Sequence, residues 1–223
     1  MEEGQRTGSA GRYGVLLVTL IAAYLVSAVT ESRWGGAVHV AFIAAIGVLS
    51  LRNARRLSSR ALRFARVVIV ATAIAAGVCV TSGSTAAKGA ADIWGALMLL
   101  LTVLIIVDRV LRLEHVTAQS LYAAVSAYLL IGMMFSEFFG ALDLLVPGPF
   151  FANGQPANSQ TLQYFSFVTL TTLGYGDFTA VGSLGRAVAV LEALSGQVFL
   201  ATLVARLVSA YEGGSGRHPP REK

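Results

Sequence analysis

Charged residues and cysteines are scarce in this sequence of 223 residues. Asp, Glu, Lys and Arg make up 13% of it, apolar residues make up 55%, and the mean hydropathy is +0.68. These values exclude an ordinary soluble domain and are typical of a protein with several membrane crossings. The single cysteine, Cys79, excludes an intrachain disulfide, and we expect it to pack within its apolar run.

Histidines and catalytic motifs are also few. The three histidines, His39, His115 and His218, stand far apart, so no zinc site is predicted, and His39 is expected to pack between helices. The sequence contains no phosphate-binding loop and no Ser/His arrangement. We therefore expect neither an enzyme nor a bound cofactor.

Long apolar runs dominate what is present. They predict an all-α membrane protein with six transmembrane helices, at residues 14–30, 36–51, 67–81, 91–111, 121–139 and 187–211. The first run could instead be a signal peptide, although it is longer than the usual apolar core of such peptides.

Basic residues are distributed unevenly along the chain. Burying an arginine at the bilayer centre costs about 2.5–3.5 kcal/mol, so the arginine-rich residues 51–66 are predicted to form a cytoplasmic loop, or an amphipathic helix on anionic lipid. Six crossings with both ends cytoplasmic leave three of the 17 Lys and Arg residues outside. The net charge of +5 thus indicates orientation in the cell membrane, not a nucleic-acid partner. The loop arginines are Arg52, Arg55, Arg56, Arg60, Arg63 and Arg66, and the three outside residues are Arg33, Lys88 and Arg186.

Residues 169–177 read Thr-Leu-Thr-Thr-Leu-Gly-Tyr-Gly-Asp. Successive carbonyls can point the same way if alternate residues adopt unusual φ values, which Gly174 and Gly176 allow without a Cβ penalty. The preceding apolar residues 160–171 follow candidate helix caps at Asn158 and Ser159. As a helix they would span about 18 Å, too short for a bilayer core of about 30 Å. This pattern indicates a re-entrant helix and loop along a water-filled path, and a glycine-rich turn between buried helices is the alternative.

The residues Thr172, Leu173, Gly174, Tyr175 and Gly176 resemble the selectivity filter of potassium channels, with leucine in place of valine at the second position. The resemblance implies that backbone carbonyls of Thr172, Leu173, Gly174 and Tyr175 coordinate K+, and that Tyr175 packs outward as a wedge. Because the motif occurs once in the chain, a closed ring needs a fourfold-symmetric homotetramer.

A wider stretch, residues 116–212, looks like the two-helix pore module of the small bacterial branch of the potassium channel superfamily. We accordingly divide the chain into a cytoplasmic tail, a four-helix transmembrane scaffold, this pore domain and a second cytoplasmic tail. The four parts are residues 1–13, 14–115, 116–212 and 213–223.

The resemblance also assigns supporting roles around the filter. Asp177 would accept a hydrogen bond from an aromatic donor on the pore helix, here Tyr164, whereas the neighbouring Phe165 cannot donate. Val168 stands where some members carry a glutamate that pairs with this aspartate. We therefore expect fewer bonds at the outer filter than in those members, so the resemblance does not extend to their filter inactivation.

The last predicted helix carries the candidate gating residues. Gly196 matches the family's hinge glycine, and a close-packing contact with a neighbouring helix is the alternative. Gln197, Leu200, Val204 and Val208 share one helix face and by resemblance would line the cavity. The two valines could form an apolar gate, and a lipid-facing stripe is the alternative.

The front half departs from a voltage-sensing layout. Residues 91–111 carry one arginine, Arg109, beside Asp108, instead of an arginine at every third position. Arg60, Arg63 and Arg66 have that spacing, but two further predicted crossings separate them from the fifth helix, at residues 121–139. Strong voltage dependence is not expected, and the short second tail is not expected to hold a nucleotide- or calcium-binding domain.

Two carboxylates near the membrane are also candidates for function. Glu137 is expected to reach lipid headgroups at the outer end of its helix, and Glu192 to make a hydrogen bond behind the filter.

The predicted function is passive, potassium-selective conduction. Three alternatives stay open: a weakly selective cation channel, a regulatory subunit, and an intramembrane aspartyl protease of the Gly-x-Gly-Asp type. The protease would need a partner for Asp177 among Asp92, Asp108 and Asp143.

Overall fold

The computed structural model describes residues 7–29, 84–111 and 117–215. These ranges form α1 (Thr7–Val29), α2 (Thr85–Leu111), α3 (Ala118–Leu145), α4 (Ser159–Leu170) and α5 (Ser183–Ser215). Outside the described residues lie the predicted crossings at 36–51 and 67–81, the arginine-rich loop between them, Cys79 and all three histidines.

Three stretches of the described chain are long and apolar enough to cross a membrane: Lys88–Asp108, Ala118–Leu145 and Ser183–Arg206. A further apolar helical stretch, Tyr13–Ala22, lies within α1. The prediction of a helical membrane protein is therefore confirmed, while the number of six crossings stays a prediction.

The helix α3 occupies the centre of the described fold. It contacts α1, α2, α4 and α5, and its Leu130 and Phe139 are fully buried. Thr117 begins the helix as a capping residue, because its side chain accepts from Ser120 N–H while the Ser120 hydroxyl accepts from Thr117 N–H. Of the spanning stretch of α3, 67% is buried within the chain, against 11% for α5. The packed face of the domain is thus built on α3, and α5 is largely uncovered.

Helix α3 also extends beyond its predicted end at residue 139. Asp143, which we predicted in the outer loop, lies instead near the end of the helix and is partly buried. The charge of Asp143 interrupts the hydropathy pattern. The helix continues nonetheless because Leu142 still packs against the apolar core.

Helix α1 begins at Thr7, within the segment predicted to be a tail that ends at residue 13. A helix already formed over the apolar run gains one backbone hydrogen bond for each further residue, which favours this extension. The other end of α1 reaches the pore helix, where Tyr24 packs edge-on against Phe167 of α4 with ring centroids 5.0 Å apart. The first helix thereby packs against α4, the helix that directly precedes the predicted filter.

Candidate functional site: the filter loop and its supports

The short helix α4 ends directly at the predicted filter. It spans Ser159–Leu170, close to the predicted 160–171. Asn158 caps it as expected, since its side-chain oxygen accepts from the backbone N–H groups of Gln160 and Thr161 at 3.0 Å. The helix therefore directs its negative C-terminal end at the loop, which favours a cation there.

The backbone of the loop alternates in handedness. φ is positive at Thr172 (58°), Gly174 (59°) and Gly176 (80°), that is, at every second residue. The alternation is the geometry that turns successive carbonyls toward one side, as predicted for the two glycines. Thr172 was not predicted, because a threonine at positive φ is uncommon and costs on the order of 1–3 kcal/mol. The only signal in the sequence for a positive φ at Thr172 was its position two residues before Gly174.

The side chains of the loop are uncovered in the single chain. Leu173 is 56% exposed and Tyr175 is 68% exposed, although both are large and largely apolar. A Cβ at Gly174 or Gly176 would meet nothing within 4 Å. The predicted outward packing of Tyr175 is therefore not provided by its own chain.

The outer end of the loop is held by Asp177. Its carboxylate accepts from the Tyr164 hydroxyl at 2.9 Å, the contact implied by the resemblance, and its carbonyl accepts from Asn153 Nδ2 at 2.7 Å. The hydrogen bond to Asp177 raises the pKa of Tyr164 above its ordinary value, so the phenol remains a donor at neutral pH. Sequence reasoning missed Asn153, whose only signal was a turn-forming Asn-Gly pair.

Flanking segments close around this end of the loop. Ala152 N–H donates to Thr179 O and Val181 N–H to Phe150 O, both at 2.9 Å. Phe165, which cannot support Asp177 by a hydrogen bond, is buried and stacks against Phe139 and Phe151 at 4.9 and 5.5 Å between centroids. At position 165, aromatic packing thus takes the place of a hydrogen bond to Asp177.

Replacing Tyr164 with phenylalanine is expected to preserve the fold, because Tyr164 also packs against Phe178. The loss of the donor to Asp177 should accelerate the decay of current during sustained opening. Single-channel recording in planar bilayers measures this decay. Tyr122→Phe, on α3 away from the filter, is the matched control, and equal decay in the two variants would show that the Tyr164 hydroxyl does not hold the loop.

Gly196 packs directly on the end of the pore helix. A Cβ at this position would lie 2.4 Å from the Leu170 carbonyl oxygen, and helix α5 continues unbroken through it. The structure thus shows the close-packing contact that we considered as the alternative, and the hinge remains a prediction. The same carbonyl accepts a hydrogen bond from the Tyr128 hydroxyl at 3.3 Å.

The predicted cavity residues follow Gly196 along α5. Gln197 Nε2 lies 3.4 Å from the Thr172 hydroxyl, just inside the filter. Leu200, Val204 and Val208 are 37%, 57% and 53% exposed. Both the apolar gate and the lipid-facing stripe are compatible with this exposure, so both stay open.

The two candidate carboxylates are buried. Glu192 is fully buried and contacts the Ser166 hydroxyl of α4, a hydrogen bond behind the filter. Glu137 is 9% exposed inside the fold, so the prediction that it reaches lipid headgroups is wrong. Its helix extends two turns beyond it, which places it deeper than a helix ending at residue 139 would.

No group of three His, Cys, Asp or Glu side chains within the described ranges could hold a metal ion. The backbone carbonyls that the resemblance implies as cation ligands stay a prediction. Asp177, the residue that a protease would need, is bound by a tyrosine hydroxyl and an amide.

Comparison with known proteins agrees with this arrangement. A family model described as "Ion channel" matches residues 125–212, which include most of α3, the whole of α4, the filter loop and most of α5. The chain is also similar to protein LctB of Bacillus caldotenax, with 31% identity over 106 residues that cover 45% of this chain and 78% of that protein. The matched segment is the one that carries the short helix α4 and the loop after it, and it indicates a membrane channel and not an enzyme. The chain therefore belongs to the ion channel family, within the potassium channel superfamily.

Proposed function

We propose that four copies of this chain form a potassium-selective channel that conducts K+ passively through the loop at residues 172–176. The observation that carries the proposal is the alternation of positive φ at Thr172, Gly174 and Gly176. A dehydrated K+ needs a shell of oxygens, and a ring of such loops supplies it from backbone carbonyls.

The uncovered surface of the single chain supports assembly around an axis. Apolar residues of α5 such as Val190, Leu194 and Val198 are 56–65% exposed, and Leu173 and Tyr175 of the loop are 56% and 68% exposed. A neighbouring copy would cover part of this surface, and lipid would cover the rest. Tyr175 would then find in the adjacent subunit the packing that its own chain does not offer.

The charges near the loop favour a cation. The C-terminal end of α4 directs its partial negative charge inward, and Thr172 and Gln197 add polar groups below the filter. The filter would then lie near the outer face of the cell membrane, with both chain termini cytoplasmic. We propose only weak voltage dependence, because the crossing at 91–111 lacks a regular arginine array.

Ion flux in liposomes that contain only this protein tests the proposal. We expect rapid K+ flux, little flux after replacement of K+ by Na+, and a fourfold assembly by cross-linking in the same membranes. Protein-free liposomes control for leakage. Equal flux of the two ions would point to a weakly selective cation channel, and a stable monomer would reject the ring.

A further inference from the structure

Three helices meet at a chain of oxygen atoms behind the filter. The Ser166 hydroxyl of α4 lies 2.6 Å from the Gly132 carbonyl oxygen of α3 and 2.5 Å from Glu192 Oε1 of α5. Ser166 and Glu192 are both fully buried. Residues from three separate parts of the sequence are therefore joined at one buried point.

The number of protons at this point determines the form of Glu192. Two hydrogen bonds between oxygens need two protons, and the Ser166 hydroxyl has one, while a carbonyl has none to give. A single hydroxyl proton shared between the two acceptors would lie off both axes and would weaken both hydrogen bonds. The second proton is then the carboxyl proton of Glu192. Glu192 donates to Ser166, and Ser166 donates to Gly132.

The surroundings of Glu192 also favour a neutral acid. Its second oxygen, Oε2, has no hydrogen-bond partner among the described residues, and no basic side chain there forms an ion pair with it. An ionised carboxylate without compensating partners is costly to bury. A carboxylic acid with one donated hydrogen bond costs much less.

We propose that protonated Glu192 is a positioning residue that fastens α5 and α3 to the back of the pore helix, and that loss of its proton closes the filter to ions. The part that concerns ion flow rests on the proposed function. Gly196, one turn further along α5, packs on the end of the same pore helix at Leu170. A carboxylate at position 192 would compete for the Ser166 proton, release the Gly132 contact and loosen the helix that carries the filter.

Among the residues that the structure describes, few other titratable groups lie on the helices around this point. Helix α3 presents Tyr128, whose hydroxyl donates to Leu170 O, and α1 presents Tyr24 against Phe167. On α4, Tyr164 binds Asp177 at the outer end, and on α5 Arg186 donates to Ala180 O. Tyr128 is the neighbour whose own titration must be separated from that of Glu192, because the two groups interact electrostatically.

Infrared difference spectroscopy on the full-length protein in lipid tests the protonation directly. We expect a carboxylic acid C=O stretching band at neutral pH that is missing from Glu192→Gln and retained in Glu137→Gln, the matched change at another buried carboxyl. The band should move in Ser166→Ala and stay in place in Ser195→Ala, since the Ser195 hydroxyl donates to the carbonyl of Leu191 on its own helix. Absence of the band from the wild-type protein would overturn the proposal even if the channel conducts.

Flux at increasing pH tests the coupling to conduction. Above the midpoint, wild-type K+ flux should fall by about tenfold for each pH unit, because the protonated fraction falls at that rate. Glu192→Gln keeps an N–H donor for Ser166 and should conduct without this pH dependence, while Tyr128→Phe should retain it. A glutamine variant that titrates like the wild type would reject the coupling. Failure of the wild type to conduct at any pH would instead reject the proposed function and leave the infrared result standing.

Discussion

Replacing Gly196 with alanine is expected to destabilise the channel, although alanine is the better helix former. Helix propensity alone would favour alanine by about 0.5–1 kcal/mol. The new methyl group, however, would lie 2.4 Å from the Leu170 carbonyl oxygen, a backbone atom that cannot rotate away. Overpacking of this kind costs about 1–3 kcal/mol, so the clash outweighs propensity and either α5 or the end of the pore helix has to shift.

The thermal unfolding midpoint and the K+ flux of the purified protein together test this expectation. Contact with the pore helix predicts a lower midpoint and reduced flux in Gly196→Ala. A hinge alone predicts a raised midpoint, from the helix propensity of alanine, together with altered opening. Gly182→Ala is the control, since a Cβ there meets nothing within 4 Å and φ lies outside the left-handed region. An increase in the midpoint of Gly196→Ala would contradict the contact.

Replacing Gly174 with alanine is expected to abolish selective K+ flux. Gly174 has a φ of 59°, where an L-residue pays about 1–2 kcal/mol, and the proposed ring would contain four copies of the change. Any relaxation of φ rotates the adjoining carbonyls away from the pore. Because there is open space around the missing Cβ, the effect comes from backbone conformation and not from a clash within the chain.

Gly154→Ala is a matched control for this change. Gly154 also has a positive φ, 72°, and open space around its missing Cβ, but it lies in the loop before the pore helix. Both variants should lose similar stability, while only Gly174→Ala should lose the discrimination between K+ and Na+ in the liposome assay. If Gly154→Ala lost selectivity equally, general destabilisation would explain the result and the filter assignment would lose its support.

The local features of the site could be predicted from the sequence. The cap at Asn158, the short helix at 159–170 and the glycine conformations at 174 and 176 each depend on a few neighbouring residues. The contact between Tyr164 and Asp177 was also expected, through the resemblance. Membrane character was evident because it depends on composition over runs of about 20 residues.

Other features were misjudged or missed because a local signal was overridden by packing. Asp143 interrupts the apolar pattern of its helix, yet Leu142 continues the buried stripe and the helix extends past it. Asn153 carried only a turn signal, yet it binds the backbone of Asp177 from 24 positions away. Thr172 takes a conformation that its own side chain disfavours, imposed by the loop around it.

The sequence by itself determined the class of the protein and the local conformation of the loop at residues 172–176, since hydropathy, helix capping and glycine conformation act between near neighbours. Only the tertiary structure decided that Gly196 packs on the end of the pore helix, and that Ser166 joins Glu192 to Gly132. Those partners lie 26 and 34 positions from Ser166 in the chain, and nothing in the pattern of any one helix encodes them. They meet because the packing of three apolar helices brings these polar groups together, and a buried polar group is stabilised by a hydrogen bond.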